Sequence, residues 1–448
     1  MPAPADRAPE PNPIPIEFDL TLEDAIGIAL EHNRDLLNRR LDREVGKFSL
    51  DVAEDRYRPR FSVEPFTEAD RQDRKAGGGV GASLRVPTGG EFALRWDEAR
   101  SDEFDGTWSQ TITFSQPLLK GAWPGIDTAA LRQARIGERI ATLAFRQAVE
   151  NLVIVVIRAY RALIRAGRRV EIDEASVRRA REQREATLAL IRAGRVAPRE
   201  AVRAEAAIAN RELSLAQARN GLDAANYALI DLLELGSTVR IRPLETLRVE
   251  RREAVAEPPF EETLQRRPEF LQAMLQIETA VIEQAVARNQ RLPDLTLRFE
   301  RRRDHTGHTD SRVRLGAVIP LNDRSPELQR LRADNALRKA RRTLAELRES
   351  IGIELRQAVN DVEVGLRLTE LARGARELAE ENLEIERMKF GQGLSSTFEV
   401  TASEDDLVRA EQAEVDAIID WLDALTRLDQ VSGRTLATWD IDAEAVAR

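Results

Sequence analysis

The 448-residue sequence contains no cysteine, which removes thiol catalysis, cysteine-based metal sites and disulfides from consideration. Such a chain suits an oxidising compartment, where stray thiols are a liability. Aromatic residues reach only 5%, too few for a compact globule built on a large aromatic core. There is no excess of positive charge: the net charge is −9, leaving no basic footprint for nucleic acid. Acidic and basic residues are interleaved, as on solvated helix faces. Long apolar runs are missing as well. The longest purely aliphatic stretch, Leu152 to Ile157, falls far short of the roughly 20 residues of a transmembrane helix. Strands of an outer-membrane barrel alternate apolar and polar residues and escape that test. Finally, Met1 to Ile16 holds no apolar signal segment but six prolines, at 2, 4, 9, 11, 13 and 15. Residues 1–18 are expected to be a disordered, Pro-rich lead.

What the chain does have is 42% hydrophobic and 32% charged residues, dominated by Ala, Leu, Arg and Glu, the composition of long packed helices. The same order of elements runs through it twice. A medium helix opens each half, at about 22–56 and 260–290, the first behind Thr21 as N-cap with Glu23 and Asp24 in its first turn. Each helix ends near a proline, Pro59 or Pro293, that opens a stretch of period-two alternation. Trp108, Ile112 and Phe114 lie opposite Ser109, Thr111, Thr113 and Ser115; Leu295, Leu297 and Phe299 alternate with Thr296, Arg298 and Glu300; Val313, Leu315, Ala317 and Ile319 alternate with Arg312, Arg314 and Gly316. The strand blocks, 61–116 and 294–319, close on Pro117 and Pro320. A long helix follows in each, 126–193 and 326–390, about 100 Å at 1.5 Å per residue. Each stops at glycine, Gly194 or Gly391 and Gly393, and returning helices over 198–235 and 397–431 end at Gly236 and Gly433.

Offsets test the duplication. Pro117 to Pro320 is 203 residues and Gly194 to Gly393 is 199, but Pro59 to Pro293 is 234. The excess of about 31 residues falls in the first strand block, where 58 residues separate the two prolines against 27 in the second. It holds an extra hairpin signal, Ala82–Val86 and Phe92–Trp96 around Pro87-Thr88-Gly89-Gly90. The organisation is thus a first repeat over 19–236, a linker over 237–259, a second repeat over 260–433 and a tail over 434–448.

Phe114-Ser115-Gln116-Pro117-Leu118-Leu119-Lys120-Gly121 before the long helix, Val155-Val156-Ile157-Arg158-Ala159-Tyr160-Arg161-Ala162-Leu163 within it, and the glycine tips leading into Ala-rich helices at 194–206 and 393–405 together resemble the TolC family of outer-membrane efflux proteins. The resemblance covers nearly the whole chain after residue 18. It implies a mainly α fold with a β-barrel portion: a homotrimer whose long antiparallel helices form an α-barrel across the periplasm and whose strands form one shared transmembrane barrel. In the simplest members each half gives two strands, for twelve in all. Here the extra hairpin raises that count or folds back over the barrel.

The resemblance further implies a passive channel in the outer membrane, in contact with its lipid, exporting small molecules or proteins and driven by a periplasmic adaptor and an inner-membrane transporter. Neither a cofactor, a metal nor a nucleic-acid partner is implied, and no enzymatic activity. The tips would meet the adaptor through Gly194, Val196, Ala197, Gly391, Gly393, Leu394 and Ser395. Glu399 falls where some members carry a constricting, cation-binding acid. The next such position is Ala402, with Glu404 and Asp405 a little beyond; Ser395 and Ser396 stand where a gating arginine is usual, while Arg195 lies at the first tip. Pore and gate candidates are therefore Glu399, Glu404 and Arg195.

Plainer explanations stand beside these. Glu399 is also a favourable first-turn acid, and Arg195 a solvated charge. His305 and His308, flanked by Asp304 and Asp310, fit a surface loop better than a zinc site, which needs three or four placed ligands. Val155, Val156, Tyr160, Leu163 and Ile164 fit a packed helix stripe. Gly77-Gly78-Gly79 reads as a flexible loop tip with no phosphate-loop Lys behind it. Against a membrane barrel, Glu64, Glu68, Asp70 and Arg71 make 61–71 a polar strand, which favours the main alternative, a soluble periplasmic helical scaffold or adaptor without a pore.

Overall fold

The computed structural model describes residues 16–69, 74–101, 106–245 and 258–446. Most of the Pro-rich lead, Asp70, Arg71 and 246–257 of the linker lie outside them. The chain divides into two compact units, one of 1–39, 145–267 and 350–448, the other of 40–144 and 268–349.

In chain order, strand β1 (Ile16–Leu20) precedes α1 (Leu22–His32) and α2 (Arg34–Glu54). A 3-10 turn (Asp55–Tyr57) leads to β2 (Arg60–Ala69), β3 (Arg74–Arg85), β4 (Glu91–Ser101) and β5 (Thr107–Pro117). Short α3 (Pro124–Asp127) precedes α4 (Ala129–Arg192), α5 (Arg199–Leu232) and β6 (Val239–Pro243). The second half runs α6 (Phe260–Arg266), α7 (Pro268–Asn289), β7 (Asp294–Asp304), β8 (Thr309–Val318), α8 (Ser325–Gly391) and α9 (Thr397–Val431), then short α10 (Thr435–Thr438) and α11 (Ala443–Val446).

The first unit is helical. Val149, Val153, Val156, Ile157, Tyr160 and Leu163 of α4 form its main core with Ala25, Ile26 and Ala29 of α1 and Leu229 and Ile230 of α5. Val155, counted in that stripe from the sequence, points away and is exposed. By length and composition alone α4 is apolar enough to cross a membrane, and 39% of its most apolar window is buried here. The lead and the linker also supply structure that composition hides: β1 and β6 pair in parallel, Ile16 opposite Val239 through Leu20 opposite Pro243. The Tyr160 hydroxyl donates to the Leu20 carbonyl at 2.8 Å, tying that small sheet to α4.

Each opening helix is broken, not continuous. Asn33, in extended conformation between α1 and α2, donates from Nδ2 to the Leu232 carbonyl at the end of α5 at 3.2 Å. Arg267 breaks the second, because the residue before Pro268 is driven out of the helical region. Its guanidinium donates to the Val431 carbonyl, at the end of α9, at 3.2 Å. The break in each half thus satisfies an orphaned carbonyl at the end of its returning helix.

The returning helices end in matched turns made of different residues. Gly433 has φ +69°, with amides of Gly433 and Arg434 bonded back to Gln430 and Asp429. In the first half the left-handed residue is Glu234 at φ +54°, not Gly236, and amides of Glu234 and Leu235 bond to Asp231 and Ile230.

The second unit carries a six-stranded antiparallel sheet in the order β2-β3-β4-β5-β7-β8. The extra hairpin is β3 and β4, fully paired inside this sheet and not folded over it. Gly77-Gly78-Gly79 lies within β3, not in a loop. A Cβ at Gly79 would sit 2.6 Å from Asp97 Oδ1 and 2.9 Å from Arg95 Nη2. The bare backbone lets Arg95 reach from β4 across β3 to Glu64 on β2 at 2.8 Å while also holding Asp97 at 2.7 Å. At the foot of β3, Arg85 pairs with the buried carboxylate of Asp127 at 2.6 Å, and the Tyr57 hydroxyl donates to the same carboxylate at 3.0 Å.

Candidate functional site

Two features bear on function: a pair of helical tips in the first unit and a two-faced sheet in the second.

The tips are built alike. After α4, Gly194 adopts φ +70°, its amide bonds to the Ile191 carbonyl and that of Arg195 to Leu190, both at 2.9 Å. After α8, Gly393 adopts φ +78°, its amide bonds to Phe390 and that of Leu394 to Lys389, again at 2.9 Å. This 6→1 and 5→2 pattern needs a left-handed residue, which glycine supplies without a Cβ penalty. Leu190 of the first tip packs beside Leu383, Phe390, Val400 and Leu407 of the second, so the two stand side by side.

The helices leaving the tips start differently. Pro198 opens α5 with no side-chain cap, whereas Ser396 opens α9 in a full capping box. Its hydroxyl accepts from the Glu399 amide, while the Glu399 carboxylate accepts from the Ser396 amide at 2.8 Å and lies 2.9 Å from the Ser395 hydroxyl. The Ser396 backbone bond, then the Ser395 hydroxyl, hold the Glu399 carboxyl below its ordinary range. Glu386 is depressed likewise, first by its bond to Lys389 and then by Ser395. Of the tip residues, Gly194, Ala197, Gly391, Gly393 and Leu394 are exposed, and Val196 and Ser395 half-buried. Leu394 and its neighbour Phe398 are open apolar side chains, 74% and 69% exposed. Arg195 is exposed and makes no ion pair among the described residues.

Glu404 is placed otherwise. Its side chain is 7% exposed, one oxygen held by Arg179 Nε of α4 and the other by Arg387 Nη2 of α8 at 3.2 Å. Arg179 also reaches Glu411 at 3.4 Å, whose carboxyl burial pushes upward. Glu404 therefore joins α4, α8 and α9 inside the packing, while Asp405 beside it, more open, pairs with the largely buried Arg211 of α5 at 2.6 Å. Sequence reasoning missed Arg179 and Arg387, which lie 225 and 17 residues from Glu404 with no local pattern to mark them.

The sheet separates two chemistries. Through the register, one face carries Phe61 and Val63 of β2; Val80, Ala82 and Leu84 of β3; Phe92, Leu94 and Trp96 of β4; Ile112 and Phe114 of β5; Leu295, Leu297 and Phe299 of β7; Val313, Leu315 and Ala317 of β8. The rings of Phe92 and Phe114 stack at 4.4 Å, and those of Trp96 and Trp108 at 4.8 Å. The opposite face carries Ser62, Glu64, Arg95, Asp97, Thr111, Thr113, Arg298, Glu300, Arg302, Arg312 and Arg314. Glu64 is therefore no obstacle to a membrane strand, since it belongs to the polar face with Arg95. At the β7–β8 turn, Asp304 Oδ1 accepts from Thr306 and His308 amides at 3.0 and 3.1 Å, so this carboxylate closes the hairpin.

A sheet with one apolar and one polar face and twice-repeated helical tips coincide with one known family. The profile of outer membrane efflux proteins matches residues 25–234 and 260–434. The chain belongs to that family. Efflux proteins of this family are passive outer-membrane channels and not enzymes, and so is this chain. Among solved structures it is similar to the CmeC outer membrane channel of Campylobacter jejuni, with TM-score 0.70 and 14% identity over 92% of this chain and 86% of that one. VceC of Vibrio cholerae gives TM-score 0.70 and 16% identity over 92% and 96%. CusC gives TM-score 0.70 and 16% identity over 96% and 97%. At these identities the likeness is one of fold. A search of curated protein sequences returns no significant match.

Proposed function

We propose that this chain is one of three identical subunits of an export duct of the outer membrane. Small molecules or proteins enter at the helical tips and leave through a barrel to which each subunit contributes its sheet. The observation that carries the reading is the two-faced sheet. A continuous apolar face with Phe61 79%, Val63 74% and Val313 73% exposed has no cover among the described residues and is stable only against lipid. A soluble helical scaffold has no use for it.

The channel does no chemistry, so an inner-membrane transporter supplies the energy and a periplasmic adaptor couples to it. The adaptor's seat is the pair of tips, Gly194, Val196 and Ala197 with Gly391, Gly393, Leu394 and Ser395, where open Leu394 and Phe398 offer apolar contact. Arg195 and Glu399 are the gate candidates with exposed side chains. Threefold symmetry brings three copies of Glu399 together and raises their affinity for cations. Glu404, held by two arginines, acts as a brace behind the gate.

The test is extraction in detergent, mass by light scattering and recording in a planar bilayer. A trimer with stable conductance is expected, with divalent-cation block weakened in Glu399→Ala. A water-soluble monomer without conductance refutes the duct, and an unchanged block removes the Glu399 ring.

A further inference from the structure

We infer that the two free edges of the sheet, β2 and β8, pair with each other between copies of this chain in one defined register, closing an eighteen-stranded barrel. This deepens the trimeric duct proposed above and rests on it.

Parity comes first. Six strands alternate in direction across the sheet, so β8 of one copy and β2 of the next meet antiparallel, as β7 and β8 do within the chain. The edges also fit in length. Both β2 (Arg60–Ala69) and β8 (Thr309–Val318) are ten residues long.

The register follows from the apolar band, which has to lie level in a membrane. One row straight across the ladders runs Phe61, Ala82, Leu94, Ile112, Arg301, Ser311: it starts in the band and ends outside it. On β2 the band is centred on Val63, whose row leads across to Thr309, but on β8 it is centred on Leu315. The band thus drifts six residues along the strands over the five steps from β2 to β8; with the seam between copies as a sixth step, each copy advances the band by an average of about one residue per step. With strands about 4.8 Å apart and about 3.3 Å per residue, that drift is a tilt of about 35°, the lower end of the barrel range.

Carrying the six-residue shift into the seam sets Phe61 beside Ala317, Val63 beside Leu315 and Pro65 beside Val313. All ten residues of each edge then find a partner; with no shift only 60–63 and 309–312 overlap. The shift is even, so apolar residues stay on the lipid face. On the polar face Glu64 comes beside Arg314, which within its own chain faces the like charge of Arg298. Pro65 leaves one position of β2 without an amide donor.

Three sheets give eighteen strands. At this tilt the backbone diameter is about 34 Å, against about 22 Å for twelve strands, so the barrel cross-section roughly doubles.

The natural absence of cysteine makes the seam directly testable. Ser62→Cys with Gly316→Cys, and Val63→Cys with Leu315→Cys, place partners at Cα distances a disulfide can span. Ser62→Cys with Asp310→Cys probes the unshifted row. Light scattering of each oxidised variant in detergent reports whether the trimer exists at all. The expected result is a trimer that becomes covalent, on non-reducing gels, with at least one of the first two pairs and not with the third. Cross-linking by the third pair, only intrachain cross-links, or a trimer with no cross-link in any pair overturns the seam while leaving the duct standing. A barrel about 22 Å across by electron cryomicroscopy of the unmodified protein overturns it as well. A particle that is not a trimer fails the duct itself, and the seam with it.

Discussion

Glu404 offers the sharpest test of how the tip region is held together. Glu404→Ala removes a carboxylate whose side chain is 7% exposed and leaves Arg179, 19% exposed, and Arg387, 35% exposed, without it. Removing one partner of a fully buried ion pair costs about 3–5 kcal/mol, because the remaining charge stays desolvated. Two features reduce that here. Arg387 is open enough to turn toward water, and Arg179 keeps Glu411 at 3.4 Å. Glu411 is a weak substitute, since burial already pushes its carboxyl upward. The expected loss is about 2–3 kcal/mol for local opening of α8 against α9. Asp406→Ala, on the same helix, is the control. Asp406 pairs with Arg409, and both side chains are open, 55% and 72% exposed, so its loss costs under about 1 kcal/mol. Native-state hydrogen exchange of amides around 383–407 reads both, and 2–3 kcal/mol appears as roughly 30- to 150-fold faster opening. Equal effects of the two alanines would refute the reasoning, because local charge density would then matter and burial would not.

The sheet and the turns make further claims. Gly79→Ala should destabilise the sheet by about 1–3 kcal/mol through crowding of Arg95 and Asp97, seen as a lower temperature for gel-resolved loss of the folded form. Most of that penalty should vanish in an Arg95→Ala background; a purely additive double variant would show that the arginine bridge over β3 is irrelevant. Glu234→Gly should raise the melting temperature, since a left-handed non-glycine residue costs about 1–2 kcal/mol and the exposed pair with Arg34 offsets under about 1. Gly433→Ala should lower it, through a stability loss of more than about 2 kcal/mol, because its Cβ would lie 2.8 Å from that of Arg266 in addition to the backbone strain. Glu399 and Glu386 have depressed folded-state pKa values, so their contribution to tip stability is present above the ordinary carboxylate range and is lost as pH falls through the depressed values. Exchange at 392–399, corrected for its intrinsic pH dependence, should therefore accelerate on acidification in the wild type and respond less in Glu399→Gln.

Periodicity and punctuation made the skeleton readable, and the exceptions share a physical cause. The two tips were legible because only glycine takes their turn cheaply, and Gly194 and Gly393 sit 199 residues apart. The end of α5 was not, because Glu234 takes a conformation that glutamate rarely adopts, drawing attention to Gly236 instead. A glycine run normally marks a loop. In β3 it marks a strand over which a neighbour's side chain passes, a fact that exists only once β2, β3 and β4 are side by side. The polar look of β2 dissolved once its residues were divided by parity. β1 and β6 escaped notice because each is five residues long and finds its partner more than 200 positions away. At the site, Glu399 read from the sequence as a first-turn acid, and the structure adds its capping box with Ser396 three residues before it, whereas the burial of Glu404 depends on arginines from two other helices. Local chemistry is written locally; burial of a charge is written across the fold.

The inserted hairpin also explains its own tolerance. An insertion of one strand would reverse β5 and send the following helix to the wrong side of the sheet. Two strands restore the direction, so Pro117 still delivers the chain to α3 and α4. Arg85 at the foot of β3 fixes the addition to Asp127 at 2.6 Å, at the start of the long helix. Because the apolar band drifts about one residue per strand, two additional strands with the same drift widen a barrel without changing its tilt. In the proposed trimer the helical repeats keep their plan while the membrane pore grows. A version lacking 74–101 should then either close a twelve-stranded barrel, with Phe61 and Val63 of β2 brought against Ile112 and Phe114 of β5, or fail to assemble for want of the Arg85–Asp127 contact. Restoring a short turn that carries an arginine toward Asp127 would separate these outcomes. Recovery of a narrower trimer would show that the hairpin sets width alone, and persistent failure would show that β3 and β4 are part of what holds the sheet to its helices.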